Sequence, residues 1–196
     1  MINFSCECGA QISFDDRYCS RCQSRVGFAP AELRFYPIDQ DGRSHSGNGS
    51  EESWVLCDNG LQHDACNWLR PEHAPGHLCY GCQFNRFIPN LSDADNISLW
   101  RTLETGKKRL LFSLMQLGLP LTSGWESPDS GLLFDFLQDQ RKEGEDCSSF
   151  VTTGYLDGVI TINVLEAEPI SRIKQQQAAK EVYRTVWEVP MRSLIN

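Results

Sequence analysis

The motif Cys6-Glu7-Cys8, ten residues, then Cys19-Ser20-Arg21-Cys22 decides the fold of the first part of this chain. A CxC or CxxC turn places two sulfurs on one side of a metal ion. Two such turns, brought together by a hairpin, complete the tetrahedral set of four ligands that zinc prefers. The motif therefore predicts a zinc ribbon over residues 1–36.

A segment of this size is too small to fold around an apolar core without help, so metal binding would supply much of its folding free energy. We expect a small apolar layer beside the metal. Its predicted members are Phe4, Ile12, Phe14, Tyr18 and Val26.

A second cysteine group follows: Cys57-x8-Cys66, twelve residues, then Cys79-x2-Cys82. This pattern is weaker, because only its last two cysteines form a knuckle. Cys57 and Cys66 could instead be ordinary buried cysteines, which are common. An iron–sulfur cluster also takes four cysteines, but two ribbon-like sets favour zinc.

Two histidines leave the second ligand set open, because His63 lies between Cys57 and Cys66 and His77 lies two residues before Cys79. Either could replace a cysteine. Four thiolates close the coordination shell, so both sites would be structural. The cofactor prediction is two Zn²⁺ ions, held by Cys6, Cys8, Cys19, Cys22, Cys57, Cys66, Cys79 and Cys82.

The charge of the chain argues against nucleic acid as a partner. The net charge is −8, and the halves 1–90 (7 Lys+Arg, 11 Asp+Glu) and 91–196 (11 and 15) carry −4 each. A phosphate backbone requires a basic face. Lys107-Lys108-Arg109 is the one candidate patch, and a solvated helix face is the favoured interpretation of it.

The sequence also predicts a cytoplasmic protein that does not cross a membrane. It has no run of 18 apolar residues. Residues 1–6 lack the basic start and apolar stretch of a secretory signal. Nine cysteines in such a chain suggest reduced thiols rather than disulfides.

The remaining patterns predict an α+β organisation. Residues 37–53 are rich in Gly and Ser and indicate a polar linker, and 54–90 form the second four-cysteine module. In 91–196, leucines 99, 103, 110, 114 and 117 predict one face of a helix that Gly118-Leu119-Pro120 stops. A strand at 132–137, a hairpin of strands 150–153 and 159–164 around Asp157-Gly158, and a final helix at 170–187 complete the prediction.

Short motifs in order along most of the chain, to about Thr185, carry a resemblance to a known family. The chain resembles a bacterial family described as putative zinc-binding metallopeptidases, whose members begin with a zinc ribbon. The resemblance implies an incomplete zincin-like α+β domain over 91–196. The motifs are Cys66-Asn67-Trp68, Asn85-Arg86-Phe87-Ile88-Pro89-Asn90-Leu91, Trp100-x-x-Leu103-Glu104, Lys108-Arg109-Leu110-Leu111, Leu117-Gly118-Leu119-Pro120, Leu133-Phe134-Asp135-Phe136-Leu137, Gly158-Val159-Ile160-Thr161-Ile162-Asn163, Glu166-Ala167 and Tyr183-Arg184-Thr185.

The departures from that family concern its catalytic end. After the Tyr-Arg-Thr element the family continues into a helix with a His-Glu-x-x-x-His-like zinc motif, whereas this chain has no histidine after His77. Tyr155 stands where the family tends to have histidine. We therefore expect a non-catalytic zinc-binding protein that lacks the catalytic part. The alternative is a metallopeptidase whose catalytic segment is missing from this chain or supplied elsewhere.

The sequence predicts no catalytic residue. His73 and His77 have the spacing of a zinc peptidase helix, but Ala74 takes the place of the glutamate and Pro75-Gly76 would break the helix. Cys147 lies among acidic residues that would raise its pKa. Glu166 and Glu168 are a carboxylate pair of a kind that is mostly structural.

Apolar surface of the predicted final helix suggests a partner. If the catalytic part is missing, Val182, Val186 and Trp187 would be uncovered. We expect an unknown protein, or a second copy of the chain, to bind there.

Overall fold

The computed structural model describes residues 3–44, 53–138 and 151–169. It divides into two units, Met1–Cys82 and Gln83–Asn196. Cys147, the predicted final helix at 170–187 and the apolar surface predicted on it lie outside the described residues. None of the described helices is long and apolar enough to cross a membrane.

The first unit is built from short antiparallel strands. One sheet pairs β1 with β2, a second pairs β3 with β4, and a third has the order β5-β6-β7. The four-residue helix α1 follows β6 directly. The bounds are β1 Phe4–Ser5, β2 Gln11–Ile12, β3 Val26–Ala29, β4 Arg34–Pro37, β5 Arg43–Ser44, β6 Trp54–Leu56, α1 Asp58–Leu61 and β7 Leu69–Pro71.

An aromatic core joins the two cysteine segments within this unit. The Phe28 ring lies 5.4 Å from that of Phe4 and 5.5 Å from that of Trp68. The Asn67 side chain donates hydrogen bonds to the backbone oxygens of Phe14 (2.8 Å) and Asp16 (3.1 Å). The first ribbon therefore completes its core with residues of the second segment, and the predicted domain bounds 1–36 and 54–90 stay a prediction.

Two expectations for this unit differ from the structure, namely the burial of Tyr18 and the polar linker at residues 37–53. Tyr18, assigned to the apolar layer, is 56% exposed. Part of the predicted linker is folded, since Ile38 is buried and Arg43 pairs with Val55 across β5 and β6. A turn at Gly42, whose φ is +77°, reverses the chain between these two positions.

The second unit contains the long helix α2, Ala94–Gln116. Asp93 caps its N-terminus by accepting a hydrogen bond from the Asp95 backbone N–H at 3.0 Å. Gly118, with φ +67°, follows its C-terminus. The helix and its stop were predicted correctly, but the buried face differs, because Leu117 is exposed while Trp100 and Lys107 are fully buried.

A four-stranded sheet of order β10-β11-β9-β8 accompanies α2 in this unit. β8 and β11 both run parallel to β9, and β10 is an antiparallel edge strand. A 3-10 turn, Val164–Ala167, follows β11. The bounds are β8 Asn85–Phe87, β9 Leu133–Leu137, β10 Gly154–Leu156 and β11 Val159–Asn163.

The hairpin between β10 and β11 turns at Asp157-Gly158, as predicted. Both residues have positive φ, +46° and +83°, which is the geometry of a two-residue turn. Such a turn pairs its immediate neighbours, here Leu156 with Val159. The first strand is therefore Gly154–Leu156 rather than the predicted 150–153.

Charged side chains occupy the centre of the second unit, contrary to both interpretations of Lys107-Lys108-Arg109. Lys107 and Lys108 are buried, so they form neither a solvated face nor a basic patch. Lys107 Nζ lies 2.6 Å from Glu104 Oε1, and both side chains are fully buried. Asn85 of β8 completes the group, accepting from Lys107 and donating to Glu104 at 3.3 Å.

Candidate metal centres

The first cysteine set comes together at two tight turns. The Gly9 N–H donates to the Cys6 carbonyl at 2.9 Å, and the Gln23 N–H donates to that of Cys19 at 2.9 Å. Gly9 and Gln23 both have positive φ, +81° and +60°. These turns direct both thiols of each pair towards the other pair, as the spacing predicts.

The sulfur positions of this set have the dimensions of a zinc site. Cys6 Sγ lies 3.7 Å from Cys22 Sγ, and Cys8 Sγ lies 3.6 Å from Cys19 Sγ. All four sulfurs lie within 4.8 Å of one another. With Zn–S bonds of about 2.3 Å, the edges of a tetrahedron would be about 3.8 Å. The Cys6–Cys22 and Cys8–Cys19 separations therefore match the edges of a zinc tetrahedron.

The second set is positioned by a short helix and by the Cys79-x2-Cys82 knuckle. Cys57 immediately precedes α1, and its carbonyl accepts from the Leu61 N–H at 3.0 Å. The sulfurs of Cys66 and Cys79 are 3.6 Å apart, and all four sulfurs of the set again lie within 4.8 Å. Cys57 and Cys66 are thus brought to the Cys79-x2-Cys82 knuckle, although their own spacing is not that of a knuckle.

Backbone N–H groups support the sulfurs of the second set. The Trp68 N–H lies 3.4 Å from Cys66 Sγ, and the Cys79 N–H lies 3.3 Å from Cys57 Sγ. Such bonds stabilise thiolates and orient metal ligands. These donors were not identified from the sequence, although the Cys66-Asn67-Trp68 motif contains one of them.

Burial and mutual hydrogen bonding oppose ionisation of the thiols in the second set. Burial raises the pKa of Cys79 well above its ordinary value. Hydrogen bonding with the Cys57 and Cys66 thiols raises that of Cys82. Four adjacent buried thiols cannot all ionise alone, whereas a bound Zn²⁺ compensates the thiolate charges.

In the first set the pKa of one thiol is raised and that of another is lowered. Burial raises the pKa of Cys6 from 9.0 to about 12. Cys22 is exposed, and its sulfur lies 3.4 Å from the Ser24 hydroxyl. Hydrogen bonds with the Ser24 hydroxyl and backbone lower its pKa to about 6.

The histidines considered as alternative ligands lie outside both sets. The His77 side chain is 78% exposed, and its Nδ1 lies 3.9 Å from an Asp58 carboxylate oxygen. His63 is half-buried. Among the residues that the structure describes, the groups able to hold a metal are the two sets of four cysteines. Replacement of a cysteine of the second set by His63 or His77 stays an alternative prediction for the zinc-loaded protein.

The residues weighed for catalysis do not form a site in the described part of the chain. His73 and His77 lie in an irregular stretch rather than on a helix. Glu166 is buried in the 3-10 turn after β11, while Glu168 is exposed. Tyr155 is half-exposed on the edge strand β10.

Two family models match consecutive parts of this chain. Residues 3–93 match a zinc-ribbon domain model. Residues 96–188 match the family described as "Putative zinc-binding metallo-peptidase". The predicted resemblance to that family, with its N-terminal zinc ribbon, is confirmed.

The curated relatives are bacterial. Uncharacterized proteins of Mycobacterium bovis and of Mycobacterium tuberculosis are each 29% identical over 187 residues, which is 95% of this chain and 50% of the relative. The chain therefore spans about half the length of the curated relatives it matches. No solved structure matches the chain.

Proposed function

We propose that this chain is a zinc-binding protein, related to zinc-dependent metallopeptidases, in which both zinc ions are structural and no peptidase site is formed. The observation that carries the proposal is the pair of complete four-sulfur sets. Four thiolates leave no coordination position for a substrate or a reactive water, whereas a catalytic zinc keeps one open.

The composition of the second unit supports the non-catalytic half of this proposal. A peptidase zinc site commonly uses imidazole ligands and a general base beside the metal-bound water. No histidine follows His77 in this sequence. The carboxylates of Glu166 and Glu168 would not by themselves supply such a site.

One alternative has specific support. A metallopeptidase whose catalytic segment lies outside this sequence would explain why residues 96–188 match a peptidase family and why the relatives are about twice as long. In that case the second unit, with its long helix and mixed sheet, would be an incomplete zincin-like domain. The two zinc sites would keep their structural role.

Metal content and activity together test the proposal. Elemental analysis of protein purified without added metal is expected to give two zinc ions per chain. The homogeneous protein is expected not to cleave a generic peptide library, with or without added zinc. Chelator-sensitive cleavage would support the enzyme alternative, and a zinc content below two would remove one of the structural sites.

A further inference from the structure

The two zinc sites differ in how the protein covers their sulfurs. In the second set all four cysteines are buried, with at most 1% of each residue exposed. In the first set Cys6 and Cys19 are buried, but Cys8 and Cys22 are exposed. Reagents in solution can therefore reach two sulfurs of one site and none of the other.

The surroundings of the two exposed sulfurs offer little cover. The chain neighbours Glu7, Gly9, Arg21 and Gln23 are themselves exposed. At the second site the Trp68 and Cys79 N–H groups lie within hydrogen-bond distance of sulfurs, and Trp68 is fully buried. Cys22 also has a hydrogen-bond partner, the Ser24 hydroxyl at 3.4 Å, so the difference between the sites lies in burial, which keeps reagents away from a thiolate.

We propose that the first zinc site is a modification site for peroxide and soft electrophiles, with Cys8 and Cys22 as the reacting sulfurs, while the second site keeps its metal. The inference rests on the proposed zinc content. It adds a chemical function to one of the two sites, each of which has its own four cysteine ligands. Thiolates are the nucleophilic form of cysteine, and zinc holds them in that form at neutral pH.

The reaction with hydrogen peroxide balances as follows. One thiolate attacks the O–O bond, giving a sulfenic acid and hydroxide. A second thiolate of the set displaces hydroxide from that sulfur and forms a disulfide. Overall, two thiolates and one peroxide give one disulfide and two hydroxides, and Zn²⁺ leaves because two of its four ligands are lost.

Loss of the first zinc would destabilise the hairpin of β1 and β2 in the first unit. β1 and β2 are two-residue strands joined at the Cys6–Gly9 turn, and this turn carries the two zinc ligands Cys6 and Cys8. Phe4 of β1 packs against Phe28 and Phe35. Oxidation is therefore expected to release this hairpin from the aromatic core while β5, β6 and β7 remain around the second zinc.

The test uses the full zinc-loaded chain carrying Cys147→Ser, so that the ninth cysteine does not consume reagent. The protein is treated with hydrogen peroxide, or separately with N-ethylmaleimide. Zinc release is followed with a chromogenic chelator, and the modified cysteines are mapped by mass spectrometry. The unsubstituted chain is treated in parallel.

We expect one zinc equivalent to leave at least tenfold faster than the other, with the first modifications at Cys8 and Cys22. Release of both ions at equal rates, or first modification within Cys57–Cys82, would overturn the inference while leaving the proposed function intact. A starting content below two zinc ions would overturn both this inference and the proposed function. No variant of a zinc ligand is needed, so loss of folding cannot obscure the result.

Discussion

Replacing Lys107 by Met is a direct test of the buried charge pair in the second unit. The substitution keeps an unbranched side chain of similar length but removes the ammonium group. Glu104 then loses the cation 2.6 Å from its carboxylate, and Asn85 loses the donor to its side-chain oxygen. Both members of the pair are fully buried, so water cannot replace the lost contact without disturbing the packing.

Breaking a buried ion pair by removing one partner costs about 3–5 kcal/mol, because the remaining charge stays desolvated. For a chain of this size, that corresponds to a fall in Tm of about 6–20 °C, at about 2–4 °C for each kcal/mol. The double variant Glu104→Leu/Lys107→Met removes both charges. It should be less destabilised than the single variant, because the uncompensated carboxylate is gone, while Asn85 loses both of its partners in the pair.

The assay is denaturation in zinc-containing buffer, followed by circular dichroism at 222 nm. This signal reports mainly on α2, whose 23 residues form the longest helix in the described part of the chain. Gln116→Met on the same helix is the control, because Gln116 is exposed and its replacement should change the unfolding free energy by no more than about 0.5 kcal/mol. A cost below about 1 kcal/mol for Lys107→Met, or a double variant less stable than the single one, would refute the buried-pair argument.

Two further substitutions test the first unit. Cys66→Ser removes a buried ligand. It should reduce the zinc content from two ions to one and alter the near-UV circular dichroism of the aromatic core. Cys147→Ser is the control and should keep both ions, because Cys147 belongs to neither set of four cysteines. Unchanged zinc content in Cys66→Ser would contradict the assignment of Cys66 as a required ligand. Gly27→Ala would place a methyl group 2.3 Å from Leu69 Cδ2 and should destabilise the unit by about 1–3 kcal/mol through overpacking. Gly154→Ala, where no atom lies within 4 Å of the added carbon, is the matched control, and equal stability of the two glycine variants in thermal denaturation would contradict the steric argument.

Local patterns were the most informative part of the sequence. The Cys6 and Cys19 turns, the stop of α2 at Gly118 and the Asp157-Gly158 hairpin were all predicted. Each depends on residues close together in the chain: paired thiols, or a backbone conformation that glycine readily adopts. The family resemblance also depends on short motifs, and the comparisons confirmed it.

The leucine pattern of α2 was less informative. It identified a helix but not the face that is buried, because the tertiary packing places Trp100, Glu104 and Lys107 inside and leaves Leu117 exposed. Helical periodicity records spacing along one element. It does not show that Asn85, on another element, offers a partner that makes burial of a lysine tolerable.

The sequence by itself determined that eight of the nine cysteines form two groups suited to zinc, because the ligand spacing is local and the chemistry of thiolates is specific. Only the tertiary structure decided that the two groups share one aromatic core through Phe28 and Trp68. It alone also distinguished an enclosed zinc site from one with two exposed sulfurs. Burial depends on contacts between residues far apart in the chain, and those contacts exist only once the strands have paired.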